Sequence, residues 1–294
     1  MCHKTNSNEI PVVFKCQGDQ LIGMIHQTIE KSSVGVLIIV GGLQYRVGSH
    51  RQFVLLARHL AKKGVSTMRF DVRGMGNSEG ESRNFEQIDN DIRSAIDCFF
   101  EKCPELNHVI LWGLCDAASA ALFYGYQDVR VKGLVLLNPW IFTEIGSAKT
   151  VLKHYYLKRL ISKDFWRKLF SLKFNYWCSF VTLIKFLRKI FISKAAYPAE
   201  LDLPNRMREC IGKFHHQILF ILSGNDLTAN EFKEAIKNDN EWQKLLNHHR
   251  TSRFDITDAD HTFSSSKWRQ NVEITTTNWI TTVALNLKNK ERKQ

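Results

Sequence analysis

The sequence lacks the features that would place the chain in a membrane or outside a cell. It holds no run of about 18 or more apolar residues, so no spanning helix is expected. The opening stretch Met1-Cys2-His3-Lys4-Thr5-Asn6-Ser7-Asn8 leads into no apolar segment, so no secretory leader is expected either. The seven cysteines are odd in number and form no CxxC pair. That argues against an extracellular disulfide framework and against the common zinc patterns. A reducing, cytoplasmic setting is the simplest expectation. There is no internal repeat, no low-complexity linker, and no dinucleotide fingerprint or metal-ligand cluster in the right place, so neither a metal nor an organic cofactor is expected.

Acidic charge is nearly absent from one segment. The chain carries a net charge of +12, yet between Lys149 and Lys194 there are twelve Lys or Arg and a single acid, Asp164. Almost all the excess positive charge therefore sits there, and the rest of the chain is close to neutral. That distribution argues against a general nucleic-acid-binding surface.

What is present is an alternation of strands and helices. Residues 34–40, 109–112, 131–137 and 218–222 are short, near-continuous apolar runs, as expected of strands buried on both faces of a parallel sheet, and a further strand is expected at 65–70. Between them, residues 50–63 place Phe53, Leu56, Ala57 and Leu60 at helical spacing, with Gly64 as the stop. Residues 85–102 repeat the pattern through Ile88, Ile92, Ala95, Ile96 and Phe99 before Pro104. Residues 10–27 read as an antiparallel edge hairpin turning at Gly18-Asp19. A last strand at 252–256 precedes a terminal helix at 267–285. Strand-helix-strand alternation of this kind makes a doubly wound α/β sheet. The expected organisation is one core, 1–142 with 201–294, and a helical basic insert at 143–200 after the sixth strand.

The chemistry starts at Gly113-Leu114-Cys115-Asp116-Ala117, which follows a buried strand and opens a helix of small residues. This is the setting of a nucleophile elbow in an α/β-hydrolase fold, here with Ala117 where glycine is usual. Taken alone, a cysteine is more often a buried structural residue. At a helix N-terminus beside a histidine its thiol, ordinarily with a pKa near 8.5, can be depressed by roughly 1–5 units. The partners should follow in the order acid, then His. Asp226 comes directly after the seventh strand and His261 after the last, so the expected triad is Cys115, His261 and Asp226. Asp258 and Asp260 fit equally well as turn-forming loop acids. The oxyanion hole calls for the backbone N–H of Asp116 and one from Leu43 or Gln44 in the loop after the third strand. Gly42, Tyr45, Arg46 and Trp140 are the candidate substrate-facing residues. Asp116 is an awkward neighbour, because a carboxylate opposes formation of a thiolate. Either it points away, or Arg46 or Arg73 neutralises it.

The run Asp71-Val-Arg-Gly-Met-Gly-Asn-Ser78 resembles the corresponding loop of lysophospholipase-like and S33-peptidase-like hydrolases. More narrowly, Gly41-Gly-Leu-Gln-Tyr-Arg-Val-Gly-Ser-His50, Arg69-Phe-Asp-Val-Arg-Gly-Met-Gly76, Leu111-Trp-Gly-Leu-Cys-Asp-Ala-Ala-Ser119 and Leu137-Asn-Pro-Trp140 resemble the exosortase A system-associated hydrolase 1 family. The resemblance is dense over residues 35–142, returns near Asp226 and His261, and is weak across the insert. It implies a bacterial, cytoplasmic hydrolase or acyl-transfer enzyme linked to exopolysaccharide or envelope assembly.

In the insert, Phe180, Leu183, Ile184, Leu187, Ile190 and Phe191 recur at helical spacing, with Thr182, Lys185, Arg188 and Lys189 opposite. A lid with solvated lysines explains this pattern, and so does peripheral contact with an anionic membrane or attraction of an acidic substrate. The leading expectation is a Cys-His-Asp enzyme acting on an ester or thioester of a small-molecule or lipid-linked acyl substrate, by hydrolysis or transfer. The rival is a catalytically inactive hydrolase-fold scaffold at the membrane surface, and a lipase-like enzyme is third.

Overall fold

The computed structural model describes residues 7–29, 32–42, 44–141, 203–237 and 239–292. The expected insert at 143–200, with its amphipathic helix, and Leu43 lie outside the described residues.

An antiparallel hairpin forms the edge, β1 (Ser7–Cys16) with β2 (Asp19–Thr28), in register from Ser7 opposite Thr28 to Cys16 opposite Asp19. The turn is Gln17-Gly18, one residue earlier than expected. Both central positions have positive φ, 51° and 102°. The two-residue turn that matches strand twist needs this at both positions, and it leaves Asp19 free to join the ladder.

Then follow β3 (Val34–Ile39), α1 (Gln52–Lys62), β4 (Thr67–Phe70), α2 (Asp89–Lys102), β5 (His108–Leu114), α3 (Asp116–Gly125) and β6 (Val131–Leu137). The chain returns as α4 (Leu203–Lys213), β7 (Gln217–Ser223), α5 (Leu227–Lys237), α6 (Asn240–Leu246), β8 (Thr251–Ile256) and α7 (Ser266–Glu291). The strands form one eight-stranded sheet in the order β1-β2-β4-β3-β5-β6-β7-β8. From β4 to β8 every pairing is parallel, and β2 meets β4 antiparallel.

The apolar runs are continuous because both sheet faces are covered. In β5, Val109 and Leu111 pack into one core with Ile92, Ile96 and Phe99 of α2, while Ile110, Trp112 and Leu114 pack into the other with Phe53, Leu56 and Leu60 of α1. Alternate side chains of one strand thus enter opposite layers. The terminal helix α7 joins the second layer through Val272, Ile280 and Val283, and it runs past the expected end at 285.

The helix expected over 85–102 divides. A single 3₁₀ turn, Phe85–Gln87, is capped by the Asn84 side chain, and α2 starts only after Ile88, whose φ of −102° and ψ of 13° interrupt the helix. The break takes Phe85 off the face of α2 and sets it edge-on to Trp140, with ring centroids 5.4 Å apart. Among the described residues no helix is long and apolar enough to cross a membrane.

Candidate active site

The carboxyl ends of the parallel strands bring the candidate residues together, as an open α/β sheet does at its ligand-binding edge. Cys115 stands between β5 and α3 with φ 61° and ψ −124°. A non-glycine residue in this region stores roughly 1–3 kcal/mol of strain and persists only where its surroundings fix it. They do so here. The Cys115 N–H donates to the Leu137 carbonyl at 2.9 Å, and its own carbonyl accepts from the N–H groups of Ala118 at 3.0 Å and Trp140 at 3.2 Å. The tightness of the turn dictates Gly113, where a Cβ would lie 2.4 Å from the Ala117 carbonyl oxygen. Ala117 itself is buried in the position where glycine is usual. The thiol sits at the N-terminus of α3, where the helix dipole favours negative charge.

Asp226 follows β7 and His261 follows β8. The imidazole Nδ1 lies 3.0 Å from Asp226 Oδ2, and Asp226 also accepts the Ala229 N–H at 2.9 Å as α5 begins. The hydrogen bond to Asp226, then that to Cys115, push the His261 pKa up to about 10 against the opposing effect of burial. The imidazolium is therefore the favoured form at neutral pH, with the sulfur of Cys115 as its second partner. The other described cysteines differ. Cys16, Cys98, Cys103 and Cys210 are buried, and burial pushes their thiols up, Cys98 and Cys210 to about 11 and Cys103 to about 12. Cys115 alone among the described cysteines is partly exposed.

Asn138 went unassigned in the sequence, where it stands only within the Leu137-Asn-Pro-Trp140 run. It is wholly buried, with φ 42°. Its Oδ1 accepts the Ser223 N–H at 2.8 Å, and its Nδ2 donates to Ser223 Oγ at 2.9 Å and to the His261 carbonyl at 3.1 Å. Ser223 Oγ then donates to the Asp260 carbonyl at 2.8 Å. One amide thus joins the ends of β6 and β7 to the histidine loop. Asn138→Ala leaves the Ser223 N–H and the His261 carbonyl without these partners, a loss of about 1–3 kcal/mol. The expected result is a lowered Tm together with a smaller rate advantage of Cys115 over other thiols in alkylation. An unchanged Cys115 rate in the folded variant would show that Asn138 does not position His261.

The remaining expected residues divide. Gly42 and Trp140 line the same cavity as Cys115, whereas Gln44 and Tyr45 line a separate depression with Met75, Gly76 and Asn77. Arg46 does not neutralise Asp116, because its guanidinium pairs with buried Asp71 and donates to Asn77 Oδ1 at 2.9 Å. Arg73 does not either, since its guanidinium is held by Asp91 at 2.5 Å. The Asp116 carboxylate is held by the main chain instead. It accepts the N–H groups of Gly42 at 2.7 Å and Ala117 at 3.0 Å. Asp260 is a loop acid that binds Ser264.

The cavity beside Cys115 encloses about 640 Å³. Val72, Met75, Phe85, Ile88, Trp140 and Leu203 give it apolar walls, and Arg83 and Glu86 supply charge. Pockets of this size and character hold a small molecule with an apolar body and a few polar groups. Among the described residues no group of three or more His, Cys, Asp or Glu is placed to hold a metal ion.

Comparison with known proteins agrees with the fold. Residues 31–176 match the family described as serine aminopeptidase, S33. An esterase from Pyrococcus furiosus superposes with a TM-score of 0.64 over 96% of this chain and 93% of that one, at 14% identity. Dienelactone hydrolase from Anabaena variabilis gives 0.60 over 94% of this chain and 98% of that one, at 13% identity. The polyketide transferase grgF of a Penicillium species is 30% identical over 91 residues, which are 29% of this chain and 31% of that protein. This chain thus matches about a third of that relative's length. The chain has the α/β-hydrolase fold and is similar over residues 31–176 to the family described as serine aminopeptidase, S33. Their description carries a serine, whereas this elbow carries Cys115.

Proposed function

We propose that the protein is a cysteine-nucleophile acyl hydrolase or acyltransferase acting on esters or thioesters. The observation that carries this reading is a cysteine in the strained elbow conformation whose sulfur shares His261 with Asp226. In the proposed reaction the Cys115 thiolate adds to the acyl carbonyl, and the carbon–oxygen π pair moves onto oxygen. Collapse of that adduct expels the leaving alcohol or thiol, which takes its proton from the His261 imidazolium. Neutral His261 then accepts a proton from water or an acceptor alcohol as that group attacks the thioester and frees Cys115. Asp226 keeps the imidazole oriented throughout. In this reading the backbone N–H of Asp116 and an amide of the loop after β3 stabilise the oxyanion.

The apolar walls fit a small-molecule or lipid-linked acyl group, and the esterase, lactone hydrolase and transferase among the similar proteins fit the reaction type. A link to exopolysaccharide or envelope assembly in the bacterial cytoplasm rests on the motif resemblance over residues 35–142. Peripheral contact with an anionic membrane rests on the basic composition of the insert. A hydrolase-fold scaffold without activity is the second reading, favoured by the Asp116 carboxylate lying over the amides beside the thiol.

Peptide mapping of iodoacetamide alkylation separates the two readings. At neutral pH Cys115 is expected to react at least about tenfold faster than Cys2, an advantage lost in His261→Ala, because the imidazolium that pairs with the thiolate is gone. Equal rates at Cys115 and Cys2 across the pH range, with the fold intact, would favour the scaffold.

A further inference from the structure

The main-chain N–H after the nucleophile is one of the two donors such an elbow offers to an oxyanion. In this chain a carboxylate lies beside that donor. The Asp116 carboxylate folds back over the first turn of α3 and accepts hydrogen bonds from the N–H groups of Ala117 and of Gly42 on the facing loop. The surrounding backbone is shaped around it. A Cβ at Gly41 would lie 2.1 Å from Asp116 Oδ1, and Gly42 adopts φ 61°. Gly41 therefore leaves room for a carboxyl group, while Gly42 answers the positive φ of the turn. The two arginines that might have drawn the carboxylate away are fixed on Asp71 and Asp91. Burial pushes the Asp116 carboxyl above its ordinary range, against the Gly42 and Ala117 amides and the nearby His261, which lower it.

We infer that the Asp116 carboxyl is a built-in occupant of the oxyanion site, which the acyl oxygen of a substrate must displace before reaction. The occupant carries two oxygens and negative charge between the first turn of α3 and the loop after β3, the two segments that supply donors to an oxyanion, so it mimics the reacting group. Displacement draws on binding energy from the rest of the substrate. Asp116 thereby acts as a specificity-determining residue. Acyl groups that fill the apolar cavity can move it, and small activated esters cannot. This inference deepens the acyl-transfer reading and rests on it for the word substrate, but the occupancy itself can be tested without turnover.

The test compares alkylation of Cys115 by iodoacetate, which carries a carboxylate, with alkylation by iodoacetamide, which does not. Peptide mapping gives both rates in the wild type, Asp116→Ala and Asp116→Asn. Freeing the amides should raise the iodoacetate-to-iodoacetamide rate ratio by about tenfold or more in Asp116→Ala, because backbone N–H groups at a helix start attract an anion. Asp116→Asn removes the charge but keeps the bulk, and should give a clearly smaller rise. Should the alanine variant not fold, Asp116→Ser takes its place. A ratio unchanged in the alanine or serine variant overturns the inference. So does an equal rise in Asp116→Asn, which would mean that charge alone is felt. Failure of both reagents to reach Cys115 in every variant overturns it as well, because something else would then limit access. Mass measurement of an acyl adduct on Cys115 after exposure to p-nitrophenyl acetate reports separately on the acyl reading. Absence of the adduct in wild type and Asp116→Ala alike counts against that reading, while the alkylation ratio still decides the occupancy.

Discussion

Replacing Cys115 by serine lowers kcat/KM on a p-nitrophenyl ester whose acyl chain fills the cavity by about 10³ or more, even though the matched family is described as serine aminopeptidase. The reason lies in the histidine. The hydrogen bond that the ring donates to Asp226 contributes most, and the one to Cys115 next, to raising His261 to about 10, so at neutral pH the ring is already protonated. An imidazolium beside a thiolate is a productive ground state, because the nucleophile is charged and the leaving group has its acid at hand. A serine hydroxyl ionises far too weakly to form such a pair, and it needs a neutral imidazole to take its proton. In Cys115→Ser the contribution of the sulfur disappears but that of Asp226 remains, so the histidine stays a poor base. The pH dependence follows with a definite sign. In the proposed mechanism the imidazolium is the acid, so activity is expected to fall as the pH rises through about 10. Steady-state rates of wild type, Cys115→Ser and Cys115→Ala, with circular dichroism to confirm folding, provide the check. A serine variant as active as the wild type would show that the site runs serine chemistry and that the cysteine is incidental.

The parts of this site that could be read from sequence share one property, which is that each follows directly from a strand. Cys115 and Asp226 come just after the apolar runs that end at Leu114 and Ser223, which are conspicuous because both faces of the sheet are covered there, and His261 follows the exposed edge strand that ends at Ile256. Chain order then assigns the roles. What could not be read depends on where side chains meet in space. Asn138 reaches the histidine loop through bonds to residues 85 and 123 positions away. Nothing in its neighbourhood along the chain marks it. The direction of the Asp116 carboxylate was open for the same reason, since sequence supplied candidate cations but not their prior engagement with Asp71 and Asp91. The break at Ile88 escaped because the apolar spacing runs smoothly from Phe85 to Phe99. Only the approach of Trp140 shows why Phe85 leaves the helix. The early turn at Gln17 is a smaller case. Glycine at position 18 advertised a turn, but its register is set by pairing along the whole of β1 and β2.

Asp91→Ala is expected to destabilise the fold by about 3–5 kcal/mol, because it leaves a buried guanidinium without its counter-charge. The Arg73 side chain is 1% exposed and that of Asp91 is fully buried. Arg73 Nε meets Asp91 Oδ1 at 2.5 Å, while the Arg73 main-chain N–H donates to Asp91 Oδ2 at 3.0 Å. The network reaches the edge hairpin, with Arg73 Nη1 donating to Gln17 Oε1 at 2.6 Å and Cys16 Sγ to Asp91 Oδ1 at 3.2 Å. One ion pair therefore ties α2, the loop after β4 and the β1–β2 turn together. Taking both charges out of water offsets much of their attraction, so the double variant Arg73→Met with Asp91→Leu should be more stable than either single change. Urea unfolding of the four proteins gives the coupling energy directly. A loss below about 1 kcal/mol in Asp91→Ala would mean that the guanidinium finds water or another acceptor, and would sink the account of this pair as a buried tie. A functional consequence accompanies the structural one. The tied loop supplies Val72 and Met75 to the wall of the cavity beside Cys115. A charge pair that adds little net stability over an apolar substitute still fixes where that wall stands. The double variant should therefore keep its fold while losing discrimination between short and long acyl chains, the property expected to depend on the placement of that wall.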